Sequence, residues 1–545
     1  MEQSKGEFNL LKEPWIRVML PDATVKEVSL TDALLFAHQY KGLAGEMPTQ
    51  DAAILRVLLA VLHAALTKEI GSNETTLESM DDALELWEEL WARKAFPQEP
   101  IKDYLERWED RFWLFHPDRP FWQAESAKKG SPFEAKKLNG EILESGNKIR
   151  FFRIRTGPGS NQLTYPEAAR WLVHLNSYDD SSLKRKLNQS SDRASFKDGW
   201  LAQLGFVCAL GSNLFETLML NFVLCDRHRE PWSSAIPVWE LDQPDQRDLL
   251  LIAVPHDQAA LLTLQSRRIS LQKETEYVKG YQVLGGEQLD ATKAVEAEQM
   301  TLWRKRKGKD GKYYYEPKPH DSTKFFWQDF STLSAIGKDE EPVGIVRWHS
   351  LVNVPDNYVI RYQSVCMKYG ATIPHSSVED VFSDAVSFHW NLLQEIGENW
   401  RNRIDMIILQ CEKLAQCIWR LGSQLCSAGG GDSHSAVAAG NRAKGEFYFR
   451  VDVPFRNWLL TLDAQQSDTV LMNRIEEWNS TIHSITLSLG KELVDAAGPG
   501  AYSGRVCALS GDRQAKQKDG RKALITAPMA YNRFKGCVNW VMKEG

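Results

Sequence analysis

Residues 148–161 read Lys-Ile-Arg-Phe-Phe-Arg-Ile-Arg-Thr-Gly-Pro-Gly-Ser-Asn. Four basic and four large apolar side chains are interleaved, and a Gly-Pro-Gly turn follows at once. Read as a strand, the segment offers cations and apolar groups on alternating sides. Cations neutralise phosphates and aromatic rings stack on bases, so the chemistry it suits is nucleic-acid contact. An amphipathic surface strand with its arginines in water fits the same residues, and both readings stay open. A second basic run, Arg304-Lys-Arg-Lys-Gly-Lys309, precedes three tyrosines. Arg304, Lys305, Arg306 and Lys307 are candidate phosphate contacts or the solvated tip of a hairpin. Arg267 and Arg268 follow an apolar run and are further candidates for a backbone contact, with a structural role as the alternative.

Other chemistries lack their residues. His256-Asp257 and His320-Asp321 are two isolated dyads, without the further His and Asp that a metal-dependent phosphohydrolase needs. Leu489-Gly-Lys-Glu has no glycine-rich turn upstream and is no P-loop. Neither a GxSxG elbow nor an HExxH helix is present, and no cysteine pair has CxxC spacing. No catalytic residue, metal or cofactor is expected from these motifs.

The elements that must position the basic segments can be read from periodicity. Residues 8–30 alternate like two short strands. Residues 51–68, 82–91, 101–112 and 165–175 have helical spacing, the last with Pro166 in its first turn. Residues 249–284 read as strands, clearest at 261–265 and 269–271. Residues 301–316 read as a hairpin around Asp310-Gly311, and 359–369 as a strand. From 376 onward the spacing is helical. Ile404, Ile407, Ile408, Cys411, Leu414, Ala415, Ile418, Leu421 and Leu425 form one stripe, broken at Gly429-Gly-Gly431. Residues 447–462, 470–496 and 530–542 are helical again. The expectation is an α+β chain: a large mixed α/β domain over 1–370, followed by a helical bundle over 371–545.

The chain has 545 residues and a net charge of −6. That excludes a polycation that coats DNA, so any nucleic-acid contact is local or shared with partners. Nineteen tryptophans predict a large core, a wide interface, or both. The start, Met-Glu-Gln-Ser-Lys-Gly-Glu, has no apolar leader, and the run 52–66 is short and interrupted by Arg56 and His63. The eight scattered cysteines, with Cys411 and Cys417 in an apolar pattern, read as reduced thiols. A cytoplasmic protein with no membrane partner is expected.

A set of collinear segments resembles one family. They are 8–18 (Phe-Asn-Leu-Leu-Lys-Glu-Pro-Trp-Ile-Arg-Val), 115–123 (Phe-His-Pro-Asp-Arg-Pro-Phe-Trp-Gln), 167–176, 199–205, 216–221, 264–268, 497–501 and 530–534. In this order they resemble the CasA family, the large subunit of the type I-E CRISPR surveillance complex Cascade. The second matches that family's HP-x-x-PF-x-Q signature. The resemblance implies an N-terminal α/β domain, a C-terminal four-helix bundle and no catalytic activity. It implies recognition of the protospacer-adjacent motif (PAM) on duplex DNA, help in opening the duplex for guide RNA pairing, and a docking surface for a helicase–nuclease. The implied partners are guide CRISPR RNA, target double-stranded DNA, the backbone, handle-capping and small subunits of Cascade, and the effector helicase–nuclease.

Carried onto this sequence, the resemblance makes Arg150, Phe152, Arg153, Ile154, Arg155, Gly157 and Gly159 the loop that anchors the subunit near the guide RNA handle. Ser195, Phe196, Lys197 and Gly199 fall at the PAM-facing loop, with Lys273 and Lys279 beside it. Thr372, Ile373 and Pro374 fall at the wedge that starts unwinding; apolar wedges of this kind part base steps. Two departures stand out. Ser190-Ser-Asp-Arg-Ala-Ser195 occupies a stretch where the family is rich in glycine, and the wedge lacks the family's frequent amide side chain. A bridging scaffold with little PAM reading is therefore the second hypothesis, and a metal-dependent nuclease using the His-Asp dyads the third.

Overall fold

The computed structural model describes residues 6–139, 157–181, 183–185, 193–195, 197–242, 251–335, 341–355, 357–370, 378–508 and 522–544. The chain forms two compact units, Met1–Val354 with Ile360–Ala385, and Pro355–Val359 with Val386–Gly545. The class is α+β, a mixed unit followed by a helical one, as the sequence predicts.

In the first unit, Pro48–Leu66 (α1) is buried almost throughout, including Arg56 and His63. Its length and apolar content would suit a membrane, but it is a core helix. Arg56 Nη1 donates to both carboxylate oxygens of Glu298 at 3.0 Å, so the buried charge is paired. Tyr165–Tyr178 (α2) starts where Pro166 predicts. Thr164 and Glu167 cap each other there, and Thr164 N donates to Glu167 Oε2 at 2.9 Å. The helix buries Ala168, Leu172 and Leu175.

The strands that matter are, in chain order, Ser131–Glu134 (β1), Leu183–Arg185 (β2), Arg193–Ser195 (β3), Val207–Leu210 (β4), Arg267–Glu274 (β5) and Tyr277–Gly285 (β6). Trp303–Lys307 (β7), Tyr313–Pro317 (β8), Val359–Tyr369 (β9) and Val378–His389 (β10) follow. One sheet has the order β5-β6-β2-β3, with β1 pairing β6. β5 and β6 are an antiparallel hairpin in which Arg267 faces Gly285 and Glu274 faces Tyr277. A second sheet has the order β10-β9-β4, and β7 and β8 form the basic hairpin that the sequence predicts.

In the second unit, Glu398–Ala428 (α3), Ser433–Leu459 (α4), Asp468–Asp495 (α5) and Ala527–Glu544 (α6) make a four-helix bundle. Every residue of the stripe from Ile404 to Leu425 is buried. Gly440 lies against Trp419, where an added Cβ would sit 2.8 Å from the indole, so α3 and α4 pack closely.

Four expectations are corrected. Residues 258–262 are a helix, Gln258–Leu262, not a strand; Asp257 caps it by accepting from Ala260 N at 2.9 Å. Residues 378–389 are strand β10, not helix. The helix expected at 447 starts at Ser433, capped by Asp432. Cys417 and Cys537 are not thiols but a disulfide joining α3 to α6.

Candidate nucleic-acid interface

Asp179 and Asp180 follow α2 directly and are buried, 6% and 7% exposed. Arg267, the first residue of β5, is 0% exposed. Its Nε donates to Asp179 Oδ2 at 2.5 Å, and its Nη2 donates to Asp180 O at 2.9 Å and to Lys197 O at 2.8 Å. Lys184 on β2 donates to Asp180 O at 2.6 Å and lies 2.8 Å from Asp179 Oδ2. Lys137 adds a third cation, 2.9 Å from Asp180 Oδ2. Burial pulls the Lys184 ammonium down and Asp179 opposes it. Burial pushes the Asp198 carboxyl up and Arg267 opposes that. A buried charge cluster is tolerable only when its members are paired and hydrogen-bonded, which is the case for Arg267.

This cluster fixes the backbone of the loop that carries Lys197. Gly199 N donates to Asp179 O at 2.8 Å. A Cβ on Gly199 would stand 2.3 Å from Ser177 O, so only glycine fits. Trp200 N donates to Ser266 Oγ at 3.1 Å, and Trp200 Nε1 to Glu298 Oε2 at 2.7 Å. The Lys197 side chain itself is exposed. The result is a solvated ammonium on an anchored backbone, suited to a phosphate or to a base-edge acceptor. Tyr369, at the end of β9, donates its hydroxyl to Tyr178 O, so the strand leading to the expected wedge is tied to the same helix end.

The remaining expected residues stand as follows. Arg267 and Arg268 are both buried. Arg267 is consumed by the cluster and Arg268 is 4% exposed, so neither guanidinium faces solvent. Lys273 and Lys279 lie near the β5–β6 turn, where Thr275 has a φ of 58°. Lys273 Nζ is 2.6 Å from Glu7 Oε1 and 5.4 Å from the Phe115 ring centre, and it holds the Glu7 carboxyl below its usual range. Lys279 pairs with Glu274 at 2.5 Å. Both ammonium groups are engaged by a carboxylate within the chain. Ser195 pairs with Leu183 at the β2–β3 step. Gly157 and Gly159 belong to a 3-10 turn, Gly157–Asn161, and Gly159 borders open space. Arg150, Phe152, Arg153, Ile154, Arg155, Phe196, Thr372, Ile373 and Pro374 lie outside the described residues.

On the basic hairpin, Arg304 and Arg306 both pair with Glu316, at 2.6 and 2.9 Å. Lys305 and Lys307 flank the ring of Tyr313, which is 63% exposed. The two His-Asp dyads are apart: His256 lies beside Asp226 and Ser233, and His320 stacks on Phe382 beside Asp329. Among the described residues, no three His, Cys, Asp or Glu side chains gather as metal ligands. Sequence reasoning misses Asp179 and Asp180. Two acids directly after a capped helix are a visible signal, but nothing local says that they face an arginine from residue 267.

The family model of the CRISPR-associated protein Cse1 matches residues 9–489, most of the chain. The chain belongs to the Cse1 family. The CasA/Cse1 protein of Thermus thermophilus is 37% identical to it over 238 residues, 44% of this chain and 43% of the relative. The matched stretch thus spans less than half of that relative's length. Thermobifida fusca Cse1 is similar over 100% of this chain and 99% of its own, at 28% identity and a TM-score of 0.78. One chain of a CRISPR RNA-guided surveillance complex has the same fold, with a TM-score of 0.60 at 16% identity over 98% of this Cse1 chain and 100% of that one.

Proposed function

We propose that this Cse1-family chain is the non-catalytic large subunit of a type I-E CRISPR Cascade complex. In this reading it recognises the PAM in duplex DNA, promotes local unwinding for guide RNA pairing, and offers a docking surface to an effector helicase–nuclease. The 150–159 loop anchors it at the guide RNA and the neighbouring subunits. The wedge at 372–374 starts strand separation. It works in the cytoplasm.

The observation that carries this reading is the exposed Lys197 on a backbone held by buried Arg267. An anchored backbone with an exposed cation can approach a groove with little backbone ordering cost, which favours reading a short motif. The division of labour follows: protein contacts test a few base pairs and the guide RNA tests the rest. The test is a band shift of the assembled complex on duplexes with an intact or an altered PAM, at one salt concentration. Binding that prefers the intact PAM supports the reading.

A second reading is a bridging scaffold with little PAM discrimination. The pairing of Lys273 with Glu7 and of Lys279 with Glu274 favours it, because both cations are then engaged within the chain rather than offered to the duplex. Equal binding of both duplexes would select it.

A further inference from the structure

The HP-x-x-PF-x-Q signature lines a cavity of about 330 Å³. Part of the signature is structural. Gln123 Nε2 donates to Leu114 O at 2.6 Å and its Oε1 accepts from Leu271 N at 2.8 Å, so both ends of the amide are used. Trp122 is different. Its backbone lies in the left-handed region, with a φ of 59°, where a bulky side chain is strained. Its indole Nε1 is buried and has no hydrogen-bond partner. An unmade bond leaves a buried donor unfavourably placed, and strain held at a non-glycine residue commonly marks a binding site.

Two arginines face the same cavity. Arg111 and Arg119 approach Asp242 Oδ1 at 3.6 and 3.7 Å, both beyond hydrogen-bond distance. Asp242 is 88% exposed and free to swing away. Neither guanidinium donates a hydrogen bond to a described residue. Burial pulls Arg111 down, and Arg119 beside it adds to that shift. The far wall is aromatic: Phe121 and Trp122 have ring centres 5.3 Å apart, and Trp239 stands 6.3 Å from Trp122. Gln265 adds a polar edge, and the carboxylates of Asp118 and Glu125 also line the cavity, the latter paired with Lys128 at 2.7 Å. The volume is within the range of small-molecule sites, which are apolar with a few convergent polar groups.

We propose that this cavity is a nucleotide site that takes a phosphate on Arg111 and Arg119 and a base against the Trp122 wall. The planar guanidinium forks match phosphate oxygens. An aromatic wall accepts any base, because every base has a π-face. The Trp122 indole N–H gains an acceptor from the ligand, and the phosphate replaces Asp242 between the arginines. The site is independent of the Lys197 loop, and its failure would leave the PAM reading untouched.

Calorimetric titration of the full-length chain with AMP, adenosine and inorganic phosphate tests it. AMP is expected to bind saturably, and adenosine or phosphate alone about tenfold more weakly or worse. Arg119→Ala should weaken AMP about tenfold, whereas Asp242→Asn should strengthen it by removing a competing carboxylate. Both side chains are well exposed, so neither change threatens the fold, and an unchanged melting temperature checks this. The Trp122 indole resonance, assigned through Trp122→Phe, should shift on AMP addition. A short oligo(dA) that displaces AMP would identify the source as a unit of nucleic acid, and one that does not would identify a free nucleotide. No saturable AMP binding, AMP binding unchanged in Arg119→Ala, or phosphate alone binding as well as AMP would overturn the proposal.

Discussion

The mixed unit and the helical bundle are each stabilised by a different chemistry. The mixed unit buries polar groups: the Arg267 cluster, the Arg56–Glu298 pair, and the histidines His63, His174 and His349. His349 donates from Nε2 to Leu220 O at 2.6 Å and accepts at Nδ1 from Tyr362 OH at 2.5 Å, so it is held neutral. The described residues of the bundle bury no histidine. Its core is built on an apolar stripe, with Arg401 and Gln410 the large polar side chains buried on α3, and its covalent tie is Cys417–Cys537. Buried polar networks fix one backbone geometry; apolar stripes need only a matching face.

The largest test of this contrast is acid. Burial pushes His63, His174 and His349 down to about 3. The unfolded chain takes up these protons near pH 6.5, the folded chain only near 3, so the three histidines withdraw stability as pH falls below about 6.5, and Asp51, whose carboxyl burial pushes up to about 7, offsets part of that loss. At pH 5 each histidine accounts for roughly 2 kcal/mol of that loss. Hydrogen exchange at pH 7.5 and pH 5, corrected for intrinsic rates, should show protection falling in the mixed unit and holding in the bundle. Equal losses in both units would break the comparison.

Next comes Arg267→Ala. Removing one partner from a buried charge cluster should cost about 3–5 kcal/mol, measured by denaturant unfolding. The loss should be confined to the mixed unit, and Arg267→Lys should restore only part of it because one ammonium cannot span Asp179, Asp180 and Lys197. Reduction of Cys417–Cys537 reverses the roles of the units. The bundle should lose about 2–4 kcal/mol and the mixed unit nothing. Smallest is Lys305→Ala on the basic hairpin, which should change stability by less than about 0.5 kcal/mol, because exposed charges contribute little.

The stripe of α3 is readable because one periodicity over many residues buries one face. β10 is not. Val378, Val381, Phe382, Ala385 and Val386 have helical spacing, and pairing with β9 overrides it. The run at 261–264 is too short to separate strand from helix, although Asp257 is in place as a cap. Arg267 reads as a surface group because arginine usually is one; its acidic partners lie at 179 and 180, far along the chain. Lys197 draws attention only through the family resemblance, since a lone exposed lysine has no signature of its own. The Cys417–Cys537 pair spans 120 residues, and spacing cannot reveal such a link.

Lys197→Ala in the assembled complex probes the central claim most directly. Its side chain is exposed and its backbone bonds do not depend on it, so folding and assembly should be unchanged. Affinity for a PAM-bearing duplex should fall about tenfold, while affinity for a PAM-altered duplex stays nearly constant. Unchanged affinity for the PAM-bearing duplex would contradict the account.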